Sequence, residues 1–191
     1  MRTCTWFSDT VYWIYDDKAR RNQYENSSDL LLRPPWQYKK VLDAIARRFH
    51  ITLIDAVKTD TADLAGYDLI GFASGIYYSK FHKCVLQFAE RNLPAGKKVF
   101  FLYTCGVEKK GYTEAIAKAV KDKKAVILGE YGCLGFNTFG PFKLIGGIAK
   151  GRPDEEDLDN AVRFYADIAA ATDPGKPYGR APRDLPRGSV S

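Results

Sequence analysis

The chain has 191 residues, of which 46% are hydrophobic and 27% charged, a composition typical of one soluble globular domain. This excludes disorder of the whole chain, and no stretch approaches the ~18–20 consecutive apolar residues of a membrane span. The first residues do not resemble a secretory signal. The formal net charge is +6. Because the basic excess is dispersed, it argues against nucleic-acid binding but suits an anionic ligand or partner.

The cysteines and histidines indicate reduced thiols and no metal site. The four cysteines, at positions 4, 84, 105 and 133, form no CxxC pair, and the two histidines show no zinc-ligand spacing. Free thiols belong to a reducing compartment, so we expect a cytoplasmic protein. Cys105 follows an apolar run and precedes a glycine, which makes a thiol enzyme one alternative. However, no arginine lies at the spacing of the phosphatase Cys-x5-Arg motif.

The first 36 residues are predicted to hold the first strand and then an insertion. Residues 2–7 are strand-like, whereas residues 11–36 pass from an aromatic stretch to a polar one and end at Pro34-Pro35, which stops any regular element. We therefore place 11–36 in the turn between the first strand and the first helix. Prolines and glycines predict a disordered, solvated tail over 173–191, which leaves 1–172 as a single domain.

Strand-like and helix-like segments alternate between residues 37 and 172. Apolar strands that are each followed by a helix predict a parallel sheet covered by helices on both faces. The predicted fold class is α/β, a three-layer doubly wound sandwich with a five-stranded parallel sheet. The strands are expected near 2–7, 51–54, 67–73, 97–104 and 124–130, and the helices from residue 37 and over 80–91, 113–121 and 154–171.

The same topology predicts where a ligand binds. In doubly wound sheets the ligand lies beyond the carboxyl ends of the strands. This rule selects the loops at 8–10, 74–79, 104–112 and 131–151. Tyr77 and Tyr78 come directly after a strand and a glycine, and their rings can stack on a flat ligand. The alternative is that both are surface aromatics on a structural loop.

Two segments resemble a signature of bacterial flavodoxin-domain proteins. They read YDLIGFASGIYYSKFHK at 67–83 and GFNTFGPFKLIGGIAKGRP at 135–153, the second followed by EEDL at 155–158. The resemblance covers about 37–170 and, more faintly, 1–10. It implies a flavodoxin-like fold with strand order 2-1-3-4-5 and FMN as the ligand.

The resemblance also implies where the flavin ring of FMN lies. The ring would sit between the loops after the third and fourth strands, and Tyr77 is expected to stack on it because a corner at Gly75 would turn the tyrosine back over the strand ends. The residues expected around the ring are Ser74, Gly75, Ile76, Tyr77 and Tyr78 on one side and Thr104, Cys105 and Gly106 on the other.

The phosphate loop departs from the family pattern. Flavodoxins hold the FMN phosphate in a turn rich in serine and threonine that continues with Gly-Asn after the first strand. Ser8 and Thr10 match the start of that turn and are the expected phosphate contacts. Val11-Tyr12 stands where Gly-Asn is expected, and the helix resumes only at Gln37. The phosphate loop is thus interrupted.

The function implied is FMN-dependent electron transfer or flavin-dependent reduction with an unidentified redox partner protein. The chemistry would belong to the cofactor, so no catalytic residue is expected, and both an oxidoreductase and a non-enzymatic electron carrier remain open. The alternative is a binding or regulatory module that keeps the scaffold but has lost FMN through the interrupted phosphate loop. His82, at a helix start, is either a solvated or capping residue or a proton relay near the flavin.

Overall fold

The structure, a computed structural model, describes residues 11–15, 37–49, 51–138 and 140–172 of the chain. The predicted strand at 2–7 and the predicted tail at 173–191 lie outside these residues, so the tail remains a prediction. The described strands are β1 (Val11–Tyr15), β2 (Ile51–Asp55), β3 (Leu69–Tyr77), β4 (Lys80–Phe81), β5 (Lys98–Cys105) and β6 (Val126–Leu134). The α-helices are α1 (Gln37–Ala46), α2 (Lys83–Asn92), α3 (Glu114–Asp122) and α4 (Glu155–Thr172), and a 3₁₀ helix covers Gly140–Ile145.

Five of these strands form a parallel sheet in the order β2-β1-β3-β5-β6. Counted along the chain without the short β4, this is the order 2-1-3-4-5, and the predicted doubly wound α/β fold is confirmed. The difference is a sixth strand, because β4 pairs antiparallel with the end of β3. Since the five long strands run in the same direction, their carboxyl ends meet at one side of the sheet, which we call the carboxyl edge.

The first described strand of the sheet lies in the segment that was predicted to be an insertion. Val11–Tyr15 lies between β2 and β3 and pairs in parallel with Ile51–Asp55 and with Ile70–Phe72. The prediction of an insertion that begins at residue 11 is therefore wrong for residues 11–15. The physical reason is that the run Val-Tyr-Trp-Ile-Tyr consists of β-branched and aromatic side chains, which suit a pleated strand with neighbours on both sides.

The sheet separates two apolar cores because side chains alternate along β5. Phe100 and Leu102 point to the face covered by α1 and α4, whereas Val99 and Phe101 point to the face covered by α2 and α3. Full burial of a large apolar side chain contributes about 1.5–3 kcal/mol. The two cores therefore hold the central strands, and with them the carboxyl edge, in fixed positions.

A tight hairpin takes the place of the loop predicted after β3. The strand continues to Tyr77, and the chain reverses at Tyr78 and Ser79, whose φ angles of 48° and 64° lie in the left-handed region. Two consecutive residues of this kind form the turn that best matches the twist of a two-residue hairpin. Gly75 lies inside β3 and pairs with Thr104. The expected glycine corner at this position is therefore wrong.

The hairpin also moves the start of the next helix. Residues 80 and 81 belong to β4, and α2 begins at Lys83 instead of residue 80. His82 is its N-cap, because Nδ1 of His82 accepts a hydrogen bond from the backbone N–H of Cys84 at 3.3 Å. Of the two roles considered for His82, the structure shows the capping role.

Candidate functional site

The structure brings the residues predicted after β3 and β5 together at the carboxyl edge. Gly75 pairs with Thr104, so the end of β3 lies beside the end of β5. Ser8 and Thr10 lie outside the described residues. In the chain they precede the first residue of β1, whereas residues 16–36 follow its carboxyl end. The connection that follows the first strand is therefore 16–36, and neither Ser8 nor Thr10 belongs to it.

The two tyrosines at this edge differ in exposure. Tyr77 is half-buried, and its ring lies back over Gly75, with Cε2 3.4 Å from the position that a Cβ would take there. The same ring meets His82 edge to face at a centroid distance of 5.1 Å. Tyr78, at the tip of the hairpin, is 86% exposed. Tyr78 is thus the tyrosine whose ring is open to solvent, although sequence reasoning favoured Tyr77 for stacking.

Ser74 and Ile76 are packed inside the protein next to the carboxyl edge. Ser74 is fully buried, and its hydroxyl donates to the carbonyl of Gly75 at 2.6 Å and accepts from the backbone N–H of His82 at 3.1 Å. Ile76 is half-buried and packs against the core under α2 and α3. Because Ser74 has no exposed surface, it fixes the β3–β4 hairpin and does not offer its hydroxyl to a ligand at the surface.

Thr104 and Cys105 are buried at the end of β5. The Cys105 thiol donates to the carbonyl of Cys133 at 3.6 Å. Burial, followed by the nearby Glu108 carboxylate, raises the pKa of the Cys105 thiol to about 11. A buried thiol that stays protonated at neutral pH is a poor nucleophile, which argues against the thiol enzyme considered above. Cys84, Cys105 and Cys133 are all free thiols.

The segment 135–153, which we call the edge segment, folds back onto the carboxyl edge. The backbone N–H of Gly135 donates to the carbonyl of Cys105 at 2.8 Å, which extends the ladder between β5 and β6. Gln37, the first residue of α1, donates from Nε2 to the carbonyl of Phe136 at 2.7 Å. The edge segment therefore links the start of α1 to the end of β5 by hydrogen bonds, and no sequence pattern predicted this contact.

The middle of the edge segment is held by its own backbone. Asn137 and Ile148 exchange two hydrogen bonds, at 3.0 and 2.8 Å, and the N–H of Gly147 donates to the carbonyl of Phe142 at 2.7 Å. The side chain of Asn137 lies directly against Gly106, where a Cβ would come within 2.6 Å of Asn137 Cβ. Gly106 is thus needed for the edge segment to approach the end of β5.

A charged cluster anchors the end of the edge segment to α4. Arg152 donates from Nη1 to Asp154 at 2.7 Å and from Nη2 to Asp157 at 2.6 Å. Each aspartate also accepts from the backbone N–H of the other at 3.0 Å. Desolvation raises the pKa of the buried Asp157 carboxyl, whereas the hydrogen bond from the Asp157 N–H lowers the pKa of Asp154. The two terminal nitrogens of Arg152 and both carboxylates are paired within the cluster, which makes it structural, whereas the buried Nε of Arg152 has no hydrogen-bond partner among the described residues.

Exposed apolar side chains are concentrated at the carboxyl edge. Among the described residues, five large hydrophobic side chains are exposed, and four of them follow the carboxyl ends of strands. Tyr78 follows β3, Val107 (50% exposed) follows β5, and Leu144 (90%) and Ile145 (68%) follow β6. The fifth, Val126, starts β6 at the opposite edge. Exposed apolar side chains that follow the carboxyl ends of β3, β5 and β6 make this edge the candidate binding site.

Two further findings concern the described part of the chain. None of its helices combines the length and the apolar character that crossing a membrane requires. Nor does it contain a group of three or more histidine, cysteine, aspartate or glutamate side chains arranged to hold a metal ion.

The fold and the site define a class of protein, the doubly wound α/β domains with a ligand edge at the carboxyl ends of a 2-1-3-4-5 sheet. The family model described as the flavodoxin domain matches residues 37–129. An uncharacterised protein of Methanocaldococcus jannaschii is 35% identical over 132 residues, which are 68% of this chain and 88% of the relative. The chain belongs to the flavodoxin domain family. Because this relative is archaeal, it does not support the bacterial origin that the resemblance suggested.

Solved flavodoxins share the fold along nearly their whole length. A flavodoxin from the domain Archaea has a TM-score of 0.52 at 14% identity, over 85% of this chain and 98% of the flavodoxin. Flavodoxin 2 from Bacillus cereus has a TM-score of 0.52 at 16% identity, over 85% and 99%. The flavodiiron protein from Giardia intestinalis has a TM-score of 0.56 at 15% identity, over 86% of this chain but 36% of that protein. At these identities the likeness shows the fold.

Proposed function

We propose that this protein binds FMN at the carboxyl edge and uses it for electron transfer or flavin-dependent reduction. When bound, FMN supplies reversible electron transfer at its ring system. The chain's own residues contact the ring, orient it and exclude water from one side of it. The observation that carries the proposal is the exposure of Tyr78 and Val107 at the ends of β3 and β5, which are neighbours in the sheet.

The side chains at these two strand ends fit a flavin ring. Tyr78 offers an aromatic face and Val107 an aliphatic group, and both lose solvent contact when a flat apolar ring covers them. Aromatic stacking adds about 0.5–1.5 kcal/mol to the gain from burial. Tyr77, held against Gly75 and His82, places a second ring beneath the hairpin. Thr104 and Cys105 contribute the buried end of β5 that positions Val107.

The placement of β1 bears on where the FMN phosphate would bind. Residues 16–36 connect the carboxyl end of β1 to α1, and their sequence contains the hydroxyls of Ser27 and Ser28 and four basic residues, together with four acidic ones. Hydroxyl and basic groups are the partners that a phosphate takes. By chain order, Ser8 and Thr10 precede β1, so they do not belong to the connection that follows its carboxyl end. Ser8→Ala and Thr10→Ala are then expected to leave FMN affinity nearly unchanged.

Titration of the apoprotein with FMN, followed by flavin fluorescence, tests the proposal. Saturable quenching is expected at or below about tens of micromolar FMN, the range of a binding free energy of about 6–8 kcal/mol. Tyr77→Ala and Tyr78→Ala should each weaken binding by about 1–3 kcal/mol, roughly five- to a hundredfold. Val107→Ala should weaken it by a smaller factor. Its matched control is Val126→Ala, a valine of similar exposure at the opposite edge, which should have no effect.

A second candidate is the binding or regulatory module without FMN. It is favoured by one observation, which is that side chains of the protein cover both glycines of the predicted site. The Tyr77 ring lies over Gly75, and Asn137 lies over Gly106. If the titration shows no saturable quenching while the protein is folded, the flavoprotein proposal fails and this candidate stands.

A further inference from the structure

β6 is the last strand on one side of the sheet, and among the described residues no strand pairs with its outer side. Gly135 directs its N–H to the carbonyl of Cys105, so its backbone points toward β5. In a parallel ladder every second residue of a strand does the same. The residues that alternate with these point their N–H and C=O groups away from β5, and they are Glu130, Gly132 and Leu134. We call this side of the strand the free side of β6.

The two outermost strands of the sheet differ in how well they are protected from pairing with another chain. Outer strands are usually short, or they carry several charges or a proline. β2, on the far side, has five residues, whereas β6 has nine, no proline and a single charged residue, Glu130. Its one irregularity lies at Leu128, where the register with β5 shifts, so residues 129–134 form a regular strand. A long and nearly uncharged outer strand indicates a surface that another strand covers.

Gly132 makes the free side of β6 fit a second copy of the same strand. The Tyr103 ring lies across Gly132, with Oη 2.7 Å from the position that a Cβ would take there, so the ring occupies the place of a side chain. Two identical strands pair in antiparallel fashion about a two-fold axis. With Gly132 opposite Gly132 of the second copy, no side chain separates the two backbones at the axis. The three outward residues of each strand then form three pairs, each joined by two backbone hydrogen bonds.

The charge on β6 favours the register centred on Gly132. In this register Glu130 lies opposite Leu134 of the second copy, and the two Glu130 side chains are on opposite sides of the axis. A register centred on Glu130 would place two carboxylates directly opposite each other, which is destabilising. A register centred on Leu134 leaves only one pair within the two strands. Thr113 also donates a hydrogen bond to Glu130, which directs the carboxylate toward α3.

We propose that the protein forms a two-fold dimer in which β6 pairs with β6 of a second copy and joins the two sheets into one. Each chain offers one long free strand, so the contact closes as a dimer instead of extending into a fibre. Because the two β6 strands are antiparallel, the two carboxyl edges point in opposite directions. The dimer therefore leaves both proposed FMN sites open, and the proposal does not depend on FMN binding.

Analytical ultracentrifugation of the full-length chain measures the dimer directly. At about 200 µM we expect twice the mass of the chain, with a dissociation constant at or below about 100 µM. Hydrogen exchange followed by NMR locates the contact. The amides of Glu130, Gly132 and Leu134 should exchange at least about threefold more slowly at about 500 µM than at about 10 µM protein, because they exchange from the monomer. The amides of Tyr131 and Cys133, which face β5, are the internal control and should be protected at both concentrations.

The charge at position 134 tests the register. Leu134→Lys places a cation opposite Glu130 of the second copy, and Leu134→Glu places a carboxylate there, while both variants lose the same leucine. Since the dimer contains this pair twice, the dissociation constant of Leu134→Glu should exceed that of Leu134→Lys at least about tenfold. The net charge of +6 acts in the opposite direction, because the lysine raises it and the glutamate lowers it. Thr52→Lys and Thr52→Glu on β2 are the matched control and should agree within about twofold.

Three results would overturn the proposal: a monomer at about 200 µM, equal dissociation constants of the two Leu134 variants, or assemblies larger than a dimer. Outward amides that are protected equally at every concentration would also overturn it, since another segment of the same chain would then cover β6. If circular dichroism shows that the Leu134 variants do not fold, the exchange measurement on the unaltered chain decides. The result of the FMN titration is independent, because the dimer is expected with and without FMN.

Discussion

Replacing Gly106 by alanine tests whether the edge segment is packed against the end of β5. A Cβ at this position would lie 2.1 Å from Nδ2, 2.6 Å from Cβ and 2.7 Å from Cγ of Asn137. Ordinary contacts between carbon atoms are about 3.5–4.0 Å, so the two chain segments must separate by about 1 Å. Rotation of the Asn137 side chain does not relieve the clash, because its Cβ is one of the atoms in contact.

The expected loss of stability in Gly106→Ala comes from the displacement of Asn137. Overpacking of a well-packed site costs about 1–3 kcal/mol. Displacing Asn137 also strains its two backbone hydrogen bonds with Ile148, at 3.0 and 2.8 Å, each worth about 0.5–1.5 kcal/mol. We therefore expect Gly106→Ala to lower the free energy of unfolding by about 2–3 kcal/mol, and the melting temperature by about 5–10 °C for a chain of this size.

Urea denaturation followed by circular dichroism measures this loss. The control is Gly66→Ala, because a Cβ at Gly66 meets nothing within 4 Å and its φ angle is not in the left-handed region. That variant should be neutral or gain up to about 1 kcal/mol. Asn137→Gly removes the three clashing atoms, so the double variant Gly106→Ala with Asn137→Gly should recover much of the loss. Equal stabilities of the Gly106→Ala and Gly66→Ala variants would refute the packing described here.

Three other predictions concern the charged cluster at Arg152, the thiols and the tail. Arg152→Met leaves the buried Asp157 without its cation, so it should destabilise the protein by about 2–3 kcal/mol at pH 7. Because the pKa of Asp157 is raised on folding, the penalty is present above that pKa and should shrink as the pH falls through it, which denaturation at several pH values measures. In alkylation at pH 8 mapped by mass spectrometry, Cys84 should react before the buried Cys105, whose pKa is about 11, and Cys133; faster reaction of Cys105 would contradict its burial. Deletion of 173–191 should leave the melting temperature nearly unchanged, and a drop of more than a few degrees would show that this tail packs on the domain.

Much of the fold could be predicted because its signals are local. β3 and β5 contain the apolar runs Leu69–Ala73 and Val99–Tyr103, and α4 opens with three acidic residues at the helix N-terminus. β1 could not be predicted, since 2–7 and 11–15 are both strand-like and the choice between them depends on pairing with β2 and β3. The β3–β4 hairpin was missed because its two left-handed residues, Tyr78 and Ser79, are not the glycine or asparagine that announce such a turn.

Only part of the candidate site could be predicted from the sequence, because the rest depends on strand register and on contacts between distant residues. Chain order and the parallel sheet suffice to bring the end of β3 beside the end of β5. Which tyrosine is exposed depends on the strand register and on the length of the hairpin, and neither can be read from Tyr77-Tyr78. The position of the edge segment depends on Gly106 leaving room for Asn137, a contact between residues far apart in the chain.

The central position of β1 sets the order in which this chain can fold during synthesis. β1 leaves the ribosome before both strands that flank it, and residues 16–68 must be made before β3 begins to emerge. At about 5–20 residues per second, this takes roughly 3–10 s. During that time the aromatic run Val11–Tyr15 has no complete place in a sheet. By contrast, β5 pairs with β3 on one side and with β6 on the other, and these three strands follow one another closely in the chain, so each finds its partner soon after it is made. The nascent chain therefore exposes a strand of β-branched and aromatic residues before its partners exist, and a chaperone that binds short aromatic segments would act on it there.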